Sequence, residues 1–351
     1  MQIGDISSDA LAAFRRGGVI PAHPLALTAH RALDERRQRA LSRYYLDAGA
    51  VGLAVGVHTT QFAIRQADLL ETVLGLAAEE AVSWVSRPTF LIAGAIGPTR
   101  QAVTEATIAR DLGYHAALLS LAGFDGAGDD ELIDHVRAVA AVMPVMGFYL
   151  QPAVGGRVLS RTFWREFAAL DNIVGIKIAP FNRYRTLDVI QGVVAAGAED
   201  RIALYTGNDD HIVLDLLTPF AIRRGDDRVD VRIVGGLLGH WSVWTHSAVK
   251  MVDDIKALPD RALDRGWLTR DANTTDANGA FFDAANNYRG VIAGLHEVLR
   301  RQGLLDGIWC LDPNEGLGPG QAAEIDRVYA AYPDLNDDAF VAKHRDRWLN
   351  T

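Results

Sequence analysis

A lysine stands in the middle of DNIVGIKIAP, residues 171–180, a stretch otherwise built like a buried strand. Its apolar residues are β-branched, the run is short, and Asp-Asn before it and proline after it favour a strand over a helix. Burying an unpaired ammonium group is costly, so Lys177 must be paired, partly hydrated or held neutral. Alternation sets Ile173, Gly175, Lys177 and Ala179 on one face and Val174, Ile176 and Ile178 on the other. The bulkier set suits a helix layer, which predicts that Lys177 points away from the helices. A desolvated amine near a tyrosine and threonines can attack a carbonyl to give a Schiff base, whose protonated iminium is an electron sink. The same residues also allow a purely structural lysine, paired with a carboxylate such as Asp209.

The elements around this lysine come in a regular series. Short apolar runs at Val19–Leu25, Val51–Val57, Thr89–Ala95, His115–Ala122, Pro144–Gln151, Asn172–Ala179, Ile202–Gly207 and Val231–Leu238 read as eight strands. Amphipathic stretches such as DERRQRALSRYYLDAGA, TRQAVTEATIARDLGY and DDELIDHVRAVAAVM fill the gaps between them. Eight β/α units in series predict an α/β fold, a (β/α)8 TIM barrel, spanning residues 1–265. DRGWLTRDANTTDANGA reads as a polar break at the start of a C-terminal helical region, residues 266–351, whose clearest helical patterns, Phe281–Gln302 and Gly320–Ala331, follow it.

In such a barrel the chemistry lies where strands end. Reading off those positions gives a polar ring of His58, Thr59, Thr60, Tyr149, Gln151, Lys177, Gly207, Asn208, Asp209, Gly235, Gly236 and His240.

Composition narrows the class. The formal charge is −9, and the absence of a Lys/Arg-dense run argues against nucleic acid and anionic membranes as partners. One cysteine, Cys310, allows neither an internal disulfide nor a cysteine-based metal cluster. No GxGxxG follows the first strand and no GxxxxGK[ST] occurs, so no nucleotide cofactor is expected. MQIGDISSDALAAFRRGGVI carries no basic-then-apolar leader pattern, and a cytoplasmic location is expected.

PVMGFYLQP followed by DNIVGIKIA, with Tyr149 and Lys177 spaced 28 positions apart, resembles the dihydrodipicolinate synthase and N-acetylneuraminate lyase family of class I aldolases. ALT with Asp34, AVGVHTTQF, AGAIGPTRQAVTEATIARDLGY, TGNDD, VGGLLG and LRRQGLLDG agree in order. The resemblance implies a Schiff-base lyase, an aldolase or dehydratase, acting on pyruvate or another 2-oxo acid through Lys177. It implies that Tyr149 moves protons, that Thr59 and Thr60 hold the substrate carboxylate and relay a proton, and that Gly207 and Gly236 lie beside the substrate. No metal or other cofactor is implied, and a homodimer or homotetramer is.

Several positions depart from the family pattern. Gln61 and Phe62 stand where Gly-Glu usually follows the threonine pair, and Val154 stands where an arginine for a distal carboxylate is usual. Arg157, and after it Arg161, are the nearest substitutes. Phe124 takes the place of a tyrosine that commonly reaches a neighbouring subunit's site. His58 and His240 are candidates to supply the missing binding or acid/base capacity, with Asn208 beside them. These changes favour a catabolic aldolase or sugar-acid dehydratase over lysine-biosynthetic synthesis. Two other readings are a barrel that binds a small acid without turnover and a metal-dependent barrel using histidines among His23, His58, His115 and His240.

Overall fold

In the computed structural model, which describes residues 1–259 and 263–350, ten short runs form strands. They are β1 (Val19–Pro21), β2 (Gly52–Val55), β3 (Phe90–Ala95), β4 (Ala116–Leu119), β5 (Val145–Leu150), β6 (Ile173–Ala179), β7 (Ala203–Thr206), β8 (Phe220–Arg224), β9 (Asp227–Val231) and β10 (Gly235–Leu238). The helices of the barrel are α1 (Ser8–Arg16), α2 (Glu35–Ala48), α3 (Leu70–Ser83), α4 (Thr99–Asp111), α5 (Asp129–Ala140), α6 (Arg161–Ala169), α7 (Arg183–Ala195), α8 (Ile212–Leu217) and α9 (Thr245–Lys256). After them come α10 (Gly266–Phe281), α11 (Val291–Arg301), α12 (Gln321–Ala331) and α13 (Asp338–Leu349).

Eight strands pair in parallel in the order β1-β10-β7-β6-β5-β4-β3-β2, and a bridge from Ala22 to Ala54 brings the two edges together. This is the expected TIM barrel. Helix starts near the lysine strand are set by side-chain caps: Ser160 Oγ accepts from Phe163 N at 2.9 Å for α6, and Asn182 Oδ1 from Arg185 N at 3.2 Å for α7. The bottom of the barrel is plugged by α1, whose Phe14 ring stacks on Phe90 at 4.1 Å and on Tyr205 at 4.9 Å. The interior therefore opens toward the strand C-termini.

Three features differ from the sequence reading. The final barrel strand begins at Gly235, and Val231 instead ends an antiparallel hairpin, β8–β9. Its alternating face, Phe220 and Ile222 paired with Val231 and Val229, is only two residues deep per strand and only partly buried, and the Arg/Asp-rich turn between them masks it. The supposed polar break is the helix α10. It buries Asp271, Thr274, Ala277, Asn278 and Phe281, a helical spacing hidden because part of the buried face is polar. Asp271 Oδ1 accepts from Leu214 N at 3.1 Å, which supplies that face with a partner.

The third difference lies in β6. Val145 pairs with Ile173 but Met146 pairs with Gly175, so Val174 is an extra residue, a β-bulge. Ile173 consequently packs outward among the helices and Val174 packs inward, the reverse of the expected placement. Beyond the bulge, Ala179 joins the inner cluster and Lys177 faces the same way.

The barrel mouth near β2 and β3 is tied by a buried ion pair. Arg65 Nε meets Glu105 Oε1 at 2.8 Å with each side chain 7% exposed, and its guanidinium also donates to the carbonyls of Gly56 and Gly94. Arg65→Met leaves the Glu105 carboxylate without its cation and is expected to cost about 3–5 kcal/mol in urea unfolding. The double variant Arg65→Met with Glu105→Leu should recover most of that loss. A loss below about 1 kcal/mol for the single variant would mean that the pair acts as an ordinary surface bridge. Among the described residues no helix is long and apolar enough to cross a membrane.

Candidate active site

Lys177 sits on β6 between Phe148 of β5 and Tyr205 of β7, its partners in register. Its Nζ lies 4.4 Å from the centre of the Phe148 ring, and the side chain is buried. Among the described residues the amine has no hydrogen-bond or ion-pair partner. Burial pushes its pKa below the ordinary lysine value, and the negative charge of Asp209 pulls it partly back. Asp209 is the converse case, a carboxyl pushed up by burial, while a hydrogen bond from His240 N at 2.9 Å and the Lys177 charge favour its ionised form.

These two groups share the wall of a cavity of about 60 Å3 at the strand C-termini. His58 and Thr59 form one side of it. Burial, with the Lys177 charge adding to it, lowers the His58 pKa to about 4, which keeps the imidazole neutral. Most of the remaining wall is apolar, from Phe148, Leu150, Val154 and Phe181, and the C-terminal region closes it with Phe282, Tyr288, Val291, Ile292 and Leu295. Lys177 is the one cationic side chain in that wall among the described residues. Gly207 leaves the room the lysine needs: a Cβ there would lie 2.8 Å from Lys177 Cε and 2.7 Å from the Ala179 Cβ.

The other residues expected at the site divide sharply. Thr60 turns its hydroxyl to the backbone, donating to His23 O at 2.6 Å and accepting from Gly56 N at 3.0 Å. Asn208 is a buried cross-link, with its Nδ2 on Thr186 Oγ1 and Asp215 Oδ2 and its Oδ1 accepting from Phe181 N. Gly236 lies against the Trp241 ring, which a Cβ would meet at 2.6 Å, and so serves packing. His240 reaches Asp209 only through its backbone. Its imidazole, lowered to about 4 by burial, meets Asn278 Nδ2 at 3.3 Å through Nδ1, outside the cavity. Arg157 donates to the carbonyls of Phe124 at 2.6 Å and Ala127 at 2.8 Å, and Arg161 pairs with Asp188 on the surface. Neither lines the cavity.

Tyr149 requires the largest correction. On β5, Met146 and Phe148 belong to the inner core, whereas Val145 and Tyr149 belong to the outer one. The tyrosine ring packs on Trp164 of α6, and its hydroxyl meets Leu159 O at 3.3 Å, Leu159 N at 3.2 Å and Arg185 Nη1 at 3.4 Å. The aromatic residue that faces Lys177 is Phe148. The bulge at Val174 explains the change, since Val145 and Ile173 are partners with the same spacing as Tyr149 and Lys177. Extending that register without the bulge would pair Tyr149 with Lys177. The extra residue turns the lysine inward and leaves the tyrosine outside.

The histidines of the metal reading do not converge. His23 bonds Pro24 O and Ser42 Oγ in the core, and His115 stacks on Phe90 at the far end of the barrel. Among the described residues no three His, Cys, Asp or Glu side chains are grouped so as to hold a metal. Phe148 and the C-terminal lining residues carry no mark in the sequence that sets them apart from ordinary core. The apolar run from Val291 suggests a helix without saying what it covers.

Comparison with known proteins adds a family. The profile of the Dihydrodipicolinate synthetase family matches residues 15–219. The chain is similar to the 4-hydroxy-tetrahydrodipicolinate synthase of Marinobacter nauticus, 34% identical over 131 residues, 36% of this chain and 42% of that protein. The enzyme of the same name from Nitratidesulfovibrio vulgaris is 26% identical over 187 residues, 53% of this chain and 61% of that protein. The chain thus spans about two fifths and three fifths of these relatives.

Among solved structures, dihydrodipicolinate synthase from Acinetobacter baumannii complexed with pyruvate superposes with TM-score 0.72 at 20% identity, covering 91% of this chain and 98% of that one. N-acetylneuraminate lyase from Fusobacterium nucleatum complexed with pyruvate gives 0.69 at 18%, covering 92% and 98%. At such identities these likenesses establish the fold.

Proposed function

The chain belongs to the dihydrodipicolinate synthetase family, and on that premise we propose that it is a Schiff-base lyase, an aldolase or dehydratase, acting on pyruvate or another short 2-oxo acid. The observation that carries this reading is Lys177, a buried amine without a hydrogen-bond partner among the described residues, facing a cavity that also holds Asp209. The neutral amine adds to C2 of the 2-oxo acid, the carbinolamine loses water, and the protonated iminium that remains draws electrons from C3. Loss of a proton from C3 then gives the enamine, from which a carbon–carbon or carbon–oxygen bond is made or broken. His58 and Thr59 supply the polar wall beside the amine for the substrate carboxylate.

Size and charge favour a short acid with one carboxylate. A cavity of about 60 Å3 is far below the ordinary range of ligand pockets, and no second cation among the described residues lines it. A distal carboxylate would lose its hydration without gaining a partner. A homodimer or homotetramer in the cytoplasm, free of metal and nucleotide cofactors, belongs to the same proposal.

The test is borohydride reduction in the presence of single 2-oxo acids, followed by intact mass and peptide mapping. Pyruvate is expected to leave one reduced adduct on Lys177, and 2-oxoglutarate little or none. A folded protein that forms no adduct with any 2-oxo acid would overturn the proposal. Equal trapping of 2-oxoglutarate would overturn the single-carboxylate reading alone.

A further inference from the structure

With Tyr149 turned outward, a Schiff base on Lys177 lacks the phenol that the family resemblance assigns to proton transfer. One phenol among the described residues does line the cavity, and it comes from the other end of the chain. Tyr288 stands in the connection between α10 and α11, with its ring at 85° to Phe181 and 6.2 Å from it. Its hydroxyl is bonded to none of the described residues.

The backbone that presents it is unusual. Asn287 and Tyr288 are consecutive residues in the left-handed region, at φ 55° and 63°, and Asp283 is a third at 56°. An aromatic residue rarely adopts this conformation unless its surroundings enforce it. Here they do. Tyr288 N donates to Asp283 O at 3.0 Å, and the Asp283 carboxylate accepts from Gly290 N at 3.1 Å. Gln321 of α12 anchors both ends of the connection, with its Nε2 on the carbonyls of Phe281 and Gly290, each at 3.1 Å. Strain held this firmly at a cavity wall points to function in the residue it displays.

We propose that Tyr288 is the catalytic residue that exchanges the proton at C3 of the lysine-bound 2-oxo acid, with Asp209 as its partner. The inference rests on the Schiff-base reading above. In the forward step the C3–H bond breaks and its electron pair becomes the C2=C3 bond of the enamine. The iminium π pair moves to nitrogen, the C3 proton passes to Oη of Tyr288, and the phenolic proton passes to the Asp209 carboxylate. Reversing the step restores both groups, so no other reactant is consumed. Burial, with the charges of Asp210 and Asp209, pushes the Tyr288 phenol above its ordinary value, so it is protonated at neutral pH before the step.

The experiment follows the methyl signal of pyruvate by proton NMR in D2O, alongside borohydride trapping, for wild type, Tyr288→Phe and Tyr149→Phe. Wild type is expected to exchange the methyl protons. Tyr288→Phe should trap pyruvate as wild type does but exchange about 100-fold more slowly or worse, the usual loss on removing a general acid–base group. Tyr149→Phe should exchange within about 3-fold of wild type once its fold is verified by circular dichroism, since it removes hydrogen bonds with Leu159 and Arg185 on the outer face of β5, neither of which lines the cavity. Wild-type exchange rates in Tyr288→Phe, loss of exchange in folded Tyr149→Phe, or an adduct without exchange in wild type would each overturn the assignment. Absence of any adduct would instead overturn the Schiff-base reading itself.

Discussion

Lys177→Ala is expected to lose borohydride trapping completely and to lower any lyase turnover by at least about 10⁴-fold, the scale seen when a covalent nucleophile is removed. Lys177→Arg should be no better, although it keeps the positive charge, because a guanidinium stays protonated at any workable pH. The pair of variants separates a nucleophilic amine from a merely electrostatic one: substantial activity in Lys177→Arg would refute covalent chemistry. The pH dependence carries a second, signed expectation. Burial lowers the Lys177 pKa while Asp209 raises it, so trapping by wild type should rise with pH along a limb below the ordinary lysine range. Asp209→Asn keeps an acceptor for His240 N but removes the opposing charge, so the limb should move to lower pH. A limb that moves to higher pH in that variant would show that Asp209 does not act on the amine through its charge.

Much of this arrangement was legible in the residues, and the parts that were not share a cause. The eight strands announced themselves because both faces of each are covered, which makes them short apolar runs. Lys177 stood out because it breaks such a run. The bulge at Val174 left no mark of its own, since Val-Gly reads as ordinary strand, yet it decides which aromatic residue faces the amine. The spacing of Tyr149 and Lys177 therefore gave the right strands with the wrong face. Alternation within β5 alone sets Tyr149 on the same side as Val145, but no rule of sequence says which side is inner. In α10 polar residues satisfied by hydrogen bonds replaced part of the apolar periodicity that pattern reading needs, and in the β8–β9 hairpin the alternating apolar residues are too few per strand to stand out. The closure of the site by Phe282 and Tyr288 depends on long-range packing. The left-handed turn that presents Tyr288 is held by Gln321, more than thirty residues further along the chain.

Gly207→Ala should disable the site while leaving the barrel standing. Gly207 has no left-handed backbone angle, so alanine meets no conformational penalty there and the effect is steric. The added methyl would fall 2.7 Å from the Ala179 Cβ, which the strand fixes, and 2.8 Å and 3.1 Å from Lys177 Cε and Cγ, which can rotate. The lysine must yield, and moving a reacting amine by about 1 Å can cost about 10²-fold in rate. Overpacking of this kind destabilises by about 1–3 kcal/mol, too little to unfold a barrel of ordinary stability. Gly236→Ala supplies the comparison, because its methyl would meet the Trp241 ring at 2.6 Å, away from the cavity. Both variants should melt earlier than wild type, but trapping per folded molecule should fall only in Gly207→Ala. Equal trapping rates in the two variants would mean that the amine has room to spare and that Gly207, like Gly236, is there for packing.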